Sequence, residues 1–406
     1  MKVGIGYSNT AEARLAGQQI ATQALQGATF DQPTLVLAFC HGQMDHLAFY
    51  LGLRDILGSD IPIVGGSAIG VITNHELSYA GFPAAAAILQ LEQEYCQLSI
   101  TDELFKFPQS CGQRLAEQLQ LLPTSSLLLL LYDSIKFPAK PHSPAVLNPS
   151  EPLLQALNAR LPLSIPMVGA GLLGDYQFNA TWQFTGQHVM SQSAVGLLFS
   201  GVRPYIATLH GCQPFNLVEH RITDIYGQFL YQLDGRPVMD VIDELYGHQE
   251  WRTQSTLREL SLGVYCGNKT EPLQERFFKN RLISGILPDD AGIILFEPDF
   301  AIGDSVHFMR RDPAVILQSA RQNTEQLLQE IHDDGGVPYF ALYFDCAGRV
   351  AALDGTGTEE AAEVQHLLNA HHIPLLGIYC GVEIAPFQGK SHSLDWTGVL
   401  VIFCRP

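Results

Sequence analysis

Three stretches of this 406-residue chain spell one phrase: Ile-Pro-Ile-Val-Gly at 61–65, Ile-Pro-Met-Val-Gly at 165–169 and Ile-Pro-Leu-Leu-Gly at 373–377. They recur in phase, 104 residues apart from 61 to 165 and 208, twice that, from 165 to 373. Each phrase follows an amphipathic helix that itself follows an apolar strand. A period of about 100 residues is far longer than the 20 to 50 of solenoid repeats, so the copies read as parts of facing domains. Proline at the second position holds the preceding residue extended and ends the helix, which predicts a strand beginning within each phrase. The duplication predicts an α/β protein of two related mixed-sheet domains built from repeated strand-helix-strand units, with glycine turns gathered at one site. By the same period a fourth copy would fall near residue 269, where none is recognisable.

The pattern along the chain supports this. Val3 to Tyr7, Leu35 to Phe39, Ala84 to Leu91, Leu127 to Tyr132, Ala194 to Phe199, Tyr339 to Phe344 and Val399 to Phe403 are short apolar runs of strand length. Helices are predicted after Asn9 and Thr10 as N-cap candidates, over Leu47 to Leu57, over Leu153 to Leu161, near Pro237 to Tyr246, after Asp312 and Pro313, and from about Glu359 through a capping box with Thr356. Prolines 138, 141, 144 and 149 stiffen a long loop. The composition shift near Gln213 to Glu219 divides the chain into 1–217 and 218–406.

Forty-one acidic against 23 basic residues give a net charge of −18, which repels phosphate backbones and anionic membranes, so nucleic acid and membrane insertion are not expected. With no apolar leader at Met1 to Asn9 and no apolar run near 20 residues, a cytoplasmic location is expected. The eight cysteines lie at least 15 residues apart, without metal-site spacing, and read as buried, reduced packing residues.

Ordered motifs carry a family resemblance. Ile63-Val64-Gly65-Gly66-Ser67-Ala68-Ile69-Gly70, Met167-Val168-Gly169-Ala170-Gly171 with Gly174-Asp175, Phe344-Asp345-Cys346-Ala347-Gly348-Arg349, Gly377 through Glu383-Ile384-Ala385-Pro386, and Thr397-Gly398-Val399 resemble the FIST (F-box and intracellular signal transduction) proteins. The resemblance spans nearly the whole chain, with 1–217 as the N-type and 218–406 as the C-type domain. Val382 departs from the family's usual glycine before the acidic residue. The resemblance implies a sensory role: a small ligand, with an amino acid or a relative proposed, and a separate output protein, since no output module is left over. Some members are associated with haem and nitric oxide.

The ligand-binding candidates are Gly65, Gly66, Ser67, Gly169, Gly171 and Asp175 in the first part, and Cys346, Arg349, Tyr379, Cys380 and Glu383 in the second. Glycines free backbone amides for close approach, Arg349 offers a bidentate guanidinium and Glu383 an acceptor for an ammonium group, which suits a zwitterion. A structural pairing of Arg349 with Asp345, Asp354 or Glu383 competes with that use. Gly169 to Gly174 matches G-x-G-x-x-G but lacks the helix that a dinucleotide loop opens. No metal and no cofactor is expected. The alternatives are a haem-based nitric oxide sensor, needing one axial side chain from 14 histidines of no telling spacing, and, in another class, a cysteine-dependent enzyme using Cys346 or Cys380.

Overall fold

A strand without polar side chains must be covered on both faces, and the leucine-rich strand Ser125–Asp133 is. In the computed structural model, which describes residues 1–91, 95–141, 145–252, 259–267, 275–354 and 357–406, Leu127, Leu129 and Leu131 face one way. Leu128, Leu130 and Tyr132 face the other, onto the helices Pro108–Gln118 and Glu151–Asn158. The first set meets Leu37, Phe39 and Leu89 from one neighbouring sheet and Phe340, Phe344 and Phe403 from another, so three sheets share one central core.

Each sheet is built on one copy of the phrase. The parallel pairs are Leu35–His41 with Ile63–Ala68, Ser125–Asp133 with Met167–Leu172, and Pro338–Cys346 with Leu375–Cys380. The phrases occupy equivalent places. In all three the third residue opens the strand, at Ile63, Met167 and Leu375. The proline carbonyl before it accepts the N–H of Val36 (2.9 Å), Leu128 (3.0 Å) or Ala341 (2.8 Å) across the pair.

The glycines are not turns. Gly65, Gly66, Gly169, Gly171 and Gly377 lie inside strands, and Gly381 separates two of them. Gly65 and Gly169 have φ of 142° and 147°, and a Cβ there would stand 1.9 Å from Ala38 O or 1.8 Å from Leu130 O. Glycine is required because the parallel backbones approach closely.

The chain then interlocks the sheets in a cycle. After its phrase, each copy passes its next strand to another copy's sheet: Gly70–Thr73 pairs with Leu375–Cys380, Gln183–Gly186 with Ile63–Ala68, and Val382–Phe387 with Met167–Leu172. Arg203–Leu209 likewise pairs with Gly398–Cys404. The protein is therefore a mixed α/β fold with three six-stranded mixed sheets, two of which draw strands from both sides of residue 217.

Between the second and third copies stands a ring of six strands, His220–Tyr226, Phe229–Leu233, Ile293–Leu295, Phe278–Ile286, Leu260–Tyr265 and Ser305–Arg311. The last closes the ring by pairing with both the first and the fifth. The place expected for a fourth copy, near 269, lies outside the described residues. Helix Val238–Tyr246 covers the ring's apolar interior.

Asp312 caps helix Pro313–Asp333 as predicted, accepting from Ala314 N and Val315 N. Glu12, not Asn9 or Thr10, caps Ala13–Gly27, because Asn9 is bonded to Ala80 and Phe82. The Glu359 carboxylate accepts from Tyr79 OH and Ala351 N, and Thr356, the other half of the expected capping box, lies outside the described residues. Pro144 also lies outside them.

Candidate functional site

Where each copy hands its strand to the next sheet there is a joint, and the register makes the three joints comparable. Ser67, Gly171 and Tyr379 occupy the same position in the second strand of each pair, and Cys40, Tyr132 and Asp345 the same position in the first. Two joints share a hydrogen bond, Ile69 N to Tyr379 O (3.1 Å) and Gly381 N to Gly171 O (3.0 Å). The predicted site residues are thus distributed over three joints rather than converging on one.

The first joint is sealed. Ser67 Oγ lies 2.9 Å from His46 Nε2 and accepts Trp182 N at 2.9 Å, and both Ser67 and His46 are buried. Burial pushes His46 down to about 4, so it is neutral near pH 7. Asp175 orders the loop leading to Trp182 by accepting Gln177 N, Asn179 N and Asn179 Nδ2. Gly65, Gly66, Ser67 and Asp175 thereby find protein partners and tight packing. No helix follows Gly174, the next element being strand Gln183–Gly186, so the dinucleotide loop is absent.

The third joint gathers the chemistry. Asp345, at the end of an otherwise apolar strand, is fully buried, and neither of its carboxylate oxygens receives a hydrogen bond. Arg349 Nε stands 3.3 Å from Asp345 Oδ1 without hydrogen-bond alignment. The remaining Arg349 donors go to Glu360, His210 O and Trp396 O, so its guanidinium is spent inside the protein, as the structural alternative anticipated. Tyr379, whose hydroxyl has no partner either, crosses Tyr79 edge to face at 5.5 Å. Tyr79 OH donates to Glu359 at 2.5 Å. Tyr176, 40% exposed, closes the group by donating to Ala347 O at 2.8 Å.

Electrostatics here is acidic. Burial, with Glu360 adding to it, holds the Asp345 carboxyl well above its ordinary range, and burial with Asp395 does the same to Glu383. Burial and the neighbouring Glu383 push both Cys346 and Cys380 thiols well up. Cys380 donates to Glu383 Oε1 at 3.4 Å, and Glu383 Oε2 accepts Thr397 N at 3.3 Å. A protonated thiol among carboxylates is a poor nucleophile, which disfavours the cysteine-enzyme alternative at either position.

The second joint holds residues that sequence reasoning missed. Tyr132 and Ser134 lie over Gly171, where a Cβ would stand 2.3 Å from Ser134 Oγ and 2.7 Å from Tyr132 OH. Arg281 of the barrel docks here by donating to Ser393 O. A polar residue ending a buried apolar strand, as at Tyr132-Asp133 and Asp345, is the signal that could have found both polar joints.

A separate cleft of about 790 Å³ lies between edge strand Lys2–Ser8 and the turn 73–76, with His75 and His372 in its walls. It contains none of the sequence-selected residues and no buried charge, so we place the candidate site at the third joint.

A model of the FIST N domain matches residues 34–236, and a model of the FIST C domain matches residues 239–386. Uncharacterized proteins of Mycobacterium bovis and Mycobacterium tuberculosis are each 25% identical over 409 residues, covering 99% of both chains. A crystal structure of a chorismatase aligns over 100% of this chain and 99% of its own at 10% identity and a TM-score of 0.36. PurLQS of Thermotoga maritima gives 9% and 0.22, over 100% of this chain and 72% of its own. Neither score carries a fold or an activity across. Among the described residues, no helix is long and apolar enough to cross a membrane, and no three His, Cys, Asp or Glu side chains are grouped to hold a metal ion.

Proposed function

The chain belongs to the FIST family, whose domains are sensory modules of signal transduction that bind small ligands, and we propose that this member senses a small amino compound at the third joint. The observation that carries the reading is Asp345: a fully buried carboxylate without a hydrogen bond, beside the unpartnered Tyr379 hydroxyl. A buried charge is tolerated when it is paired, and an ammonium group would supply both the charge and the hydrogen bonds. Glu359, Glu360 and Glu383 all face Asp345, with Arg349 opposing them, so an added positive charge would be favoured there. Tyr79, Tyr176 and Tyr379 add aromatic surface of the kind that favours ammonium groups. An amino acid or a close relative fits this chemistry, and Arg349 serves by holding the acidic wall.

Ligand entry past Tyr176 breaks one hydrogen bond, to Ala347 O, a net change of about 1 kcal/mol. That bond joins the loop of the second copy to a turn of the third, so its rupture is how occupancy could reach a separate output protein. A cytoplasmic setting is part of the reading and accords with eight unpaired cysteines. The haem alternative would use the 790 Å³ cleft, with His75 or His372 as axial ligand.

The test is a thermal-shift panel of amino acids, amines and the matched carboxylic acids without an amino group. Stabilisation by amino compounds alone, lost in Asp345→Asn and weakened in Tyr176→Ala, is the expected result. Stabilisation by the acids, or full retention in Asp345→Asn, refutes the reading.

A further inference from the structure

The outer strands of the three sheets are equivalent, and the first of them keeps an open edge beside a cleft. Lys2–Ser8, Tyr95–Thr101 and Arg203–Leu209 each pair antiparallel with the strand that flanks the first strand of a copy. Register then places Val3, Cys96 and Pro204 at one position, Ile5, Leu98 and Ile206 at a second, and Tyr7, Ile100 and Thr208 at a third. Along such a strand, residues that turn N–H and C=O towards the neighbour alternate with residues that turn them away. Tyr7 N donates outward to Gln23 Oε1 at 3.0 Å, so Val3 and Ile5, of the same parity, also turn their backbone groups off the sheet. In the second copy the Gln118 amide takes both the N–H and the C=O of Ile100, each at 3.0 Å, and in the third Pro204 has no N–H to offer. Among the described residues, none bonds to the outward N–H or C=O of Val3 or Ile5.

This edge is one wall of the 790 Å³ cleft, and both walls are fixed. Opposite it, Asn74 of the turn 73–76 donates to Asn369 Oδ1 (2.7 Å) and Ile373 O (2.9 Å) and accepts Leu375 N (2.8 Å). Tyr7 OH ties the two walls together by donating to Ser78 Oγ at 3.1 Å. The edge strand itself is held because Gly4 and Gly6 let helix Ala13–Gly27 lie directly on it, a Cβ at either standing 2.0 Å from Ala24 O or 2.1 Å from Ile20 O. Fixed walls, with a row of backbone donors and acceptors on one of them, make a slot that suits an extended chain and needs no ordering to receive it.

We propose that an extended segment of the output protein, carrying basic side chains, pairs in this slot with Val3 and Ile5 as an added strand of the first sheet. Strand addition satisfies the main-chain groups that an edge otherwise leaves to water. Charge sets the composition of the segment: the described walls carry Glu76 and neither lysine nor arginine, the protein has a net charge of −18, and Lys2 beside the slot is paired with Asp31 at 2.6 Å. Val3, Ile5, Ile373 and Pro374 offer apolar surface to the alternate side chains. A second copy of this chain, bringing the same −18, is repelled from the place that a basic segment is drawn to. The sensory reading supplies only the identity of the partner; strand pairing is measured without any ligand, so each can fail alone.

The experiment is fluorescence anisotropy of the full chain with short labelled peptides in which lysine alternates with valine, isoleucine or threonine. A saturable signal is expected, and glutamate in place of lysine should abolish it. N-methylation of one of the two alternate sets of peptide amides should weaken binding about tenfold, and of the other set much less, since only one set faces the edge. Val3→Pro, which copies Pro204 and removes an outward N–H, should also weaken it about tenfold. Glu76→Lys, at an exposed position, should weaken it as well and serves if Val3→Pro does not fold. Amide hydrogen exchange in residues 1–8 should slow when peptide is bound. No saturation with any of the peptides, equal binding of the two methylated forms, a signal that both substitutions leave intact, or a dimer of the chain that Val3→Pro dissociates overturns the proposal.

Discussion

Gly169→Ala should be among the most damaging single-methyl additions in the protein. The new Cβ would stand 1.8 Å from the carbonyl oxygen of Leu130, whereas real Cβ contacts essentially never fall below 3.0 Å, so the two parallel strands would have to part by about 1.2 Å. Neither strand can yield easily, since Leu129, Leu130, Val168 and Ala170 are all buried between a helix layer and the shared core. Overpacking of this kind costs about 1–3 kcal/mol. Alanine at φ 147° adds about 1–3 kcal/mol of backbone strain. The expected loss is therefore about 3–5 kcal/mol. Gly377→Ala, at the equivalent place, meets Tyr343 O at 2.6 Å without a positive φ, and should lose about 1–3 kcal/mol. Gly389→Ala has φ 81° but open space around it, and should lose about 1 kcal/mol. Urea unfolding of the three variants, followed by circular dichroism, tests the order. Gly169→Ala as stable as Gly389→Ala would refute the claim that the phrase's glycine exists for backbone approach.

Other consequences can be checked as directly. Fragments 1–217 and 218–406 expressed apart should be insoluble or unfolded, and should regain the native spectrum only together, because strands 70–73 and 382–387 belong to sheets based in the other fragment. His46 has a native pKa lowered to about 4 from 6.5, so its contribution is intact above pH 6.5 and is lost as pH falls towards 4; the loss, about 3 kcal/mol, should shrink in His46→Gln when stability is measured between pH 7 and pH 4. Iodoacetamide at pH 8 should leave Cys346 and Cys380 unmodified in the native protein, as read by peptide mass mapping. The purified protein should be colourless. A Soret band on adding haemin, shifted by nitric oxide and lost in His75→Ala or His372→Ala, would promote the haem alternative.

The repeat was legible because proline and glycine have positional meanings that tertiary context rarely overrides. Pro62, Pro166 and Pro374 each stand directly before a strand, and Gly65, Gly169 and Gly377 each sit against a neighbouring carbonyl. What these glycines do was less legible: the same residue serves a turn and a close strand pair, and sequence does not distinguish them. Leu47 and Leu51 marked a helix correctly, but they are exposed, while His46, Phe49, Tyr50 and Leu53 form its buried face. A structural partner for Arg349 was expected among Asp345, Asp354 and Glu383; Asp345 stands 3.3 Å from it, but the guanidinium's carboxylate hydrogen bond goes to Glu360. Glu297 and Asp395 could not be grouped from sequence, since the ring of strands and the strand exchange bring together residues 98 positions apart. The bond from Tyr79 to the Glu359 carboxylate was hidden for a similar reason, since 280 positions separate them.

Mass spectrometry of the protein purified without added ligand, run under native and then denaturing conditions on wild type and Asp345→Asn, tests the central claim most directly. The account predicts one equivalent of a small amino compound bound non-covalently to the wild type and missing from the variant. A bound haem, an adduct on Cys346, or a metabolite without an amino group retained by both proteins would contradict it.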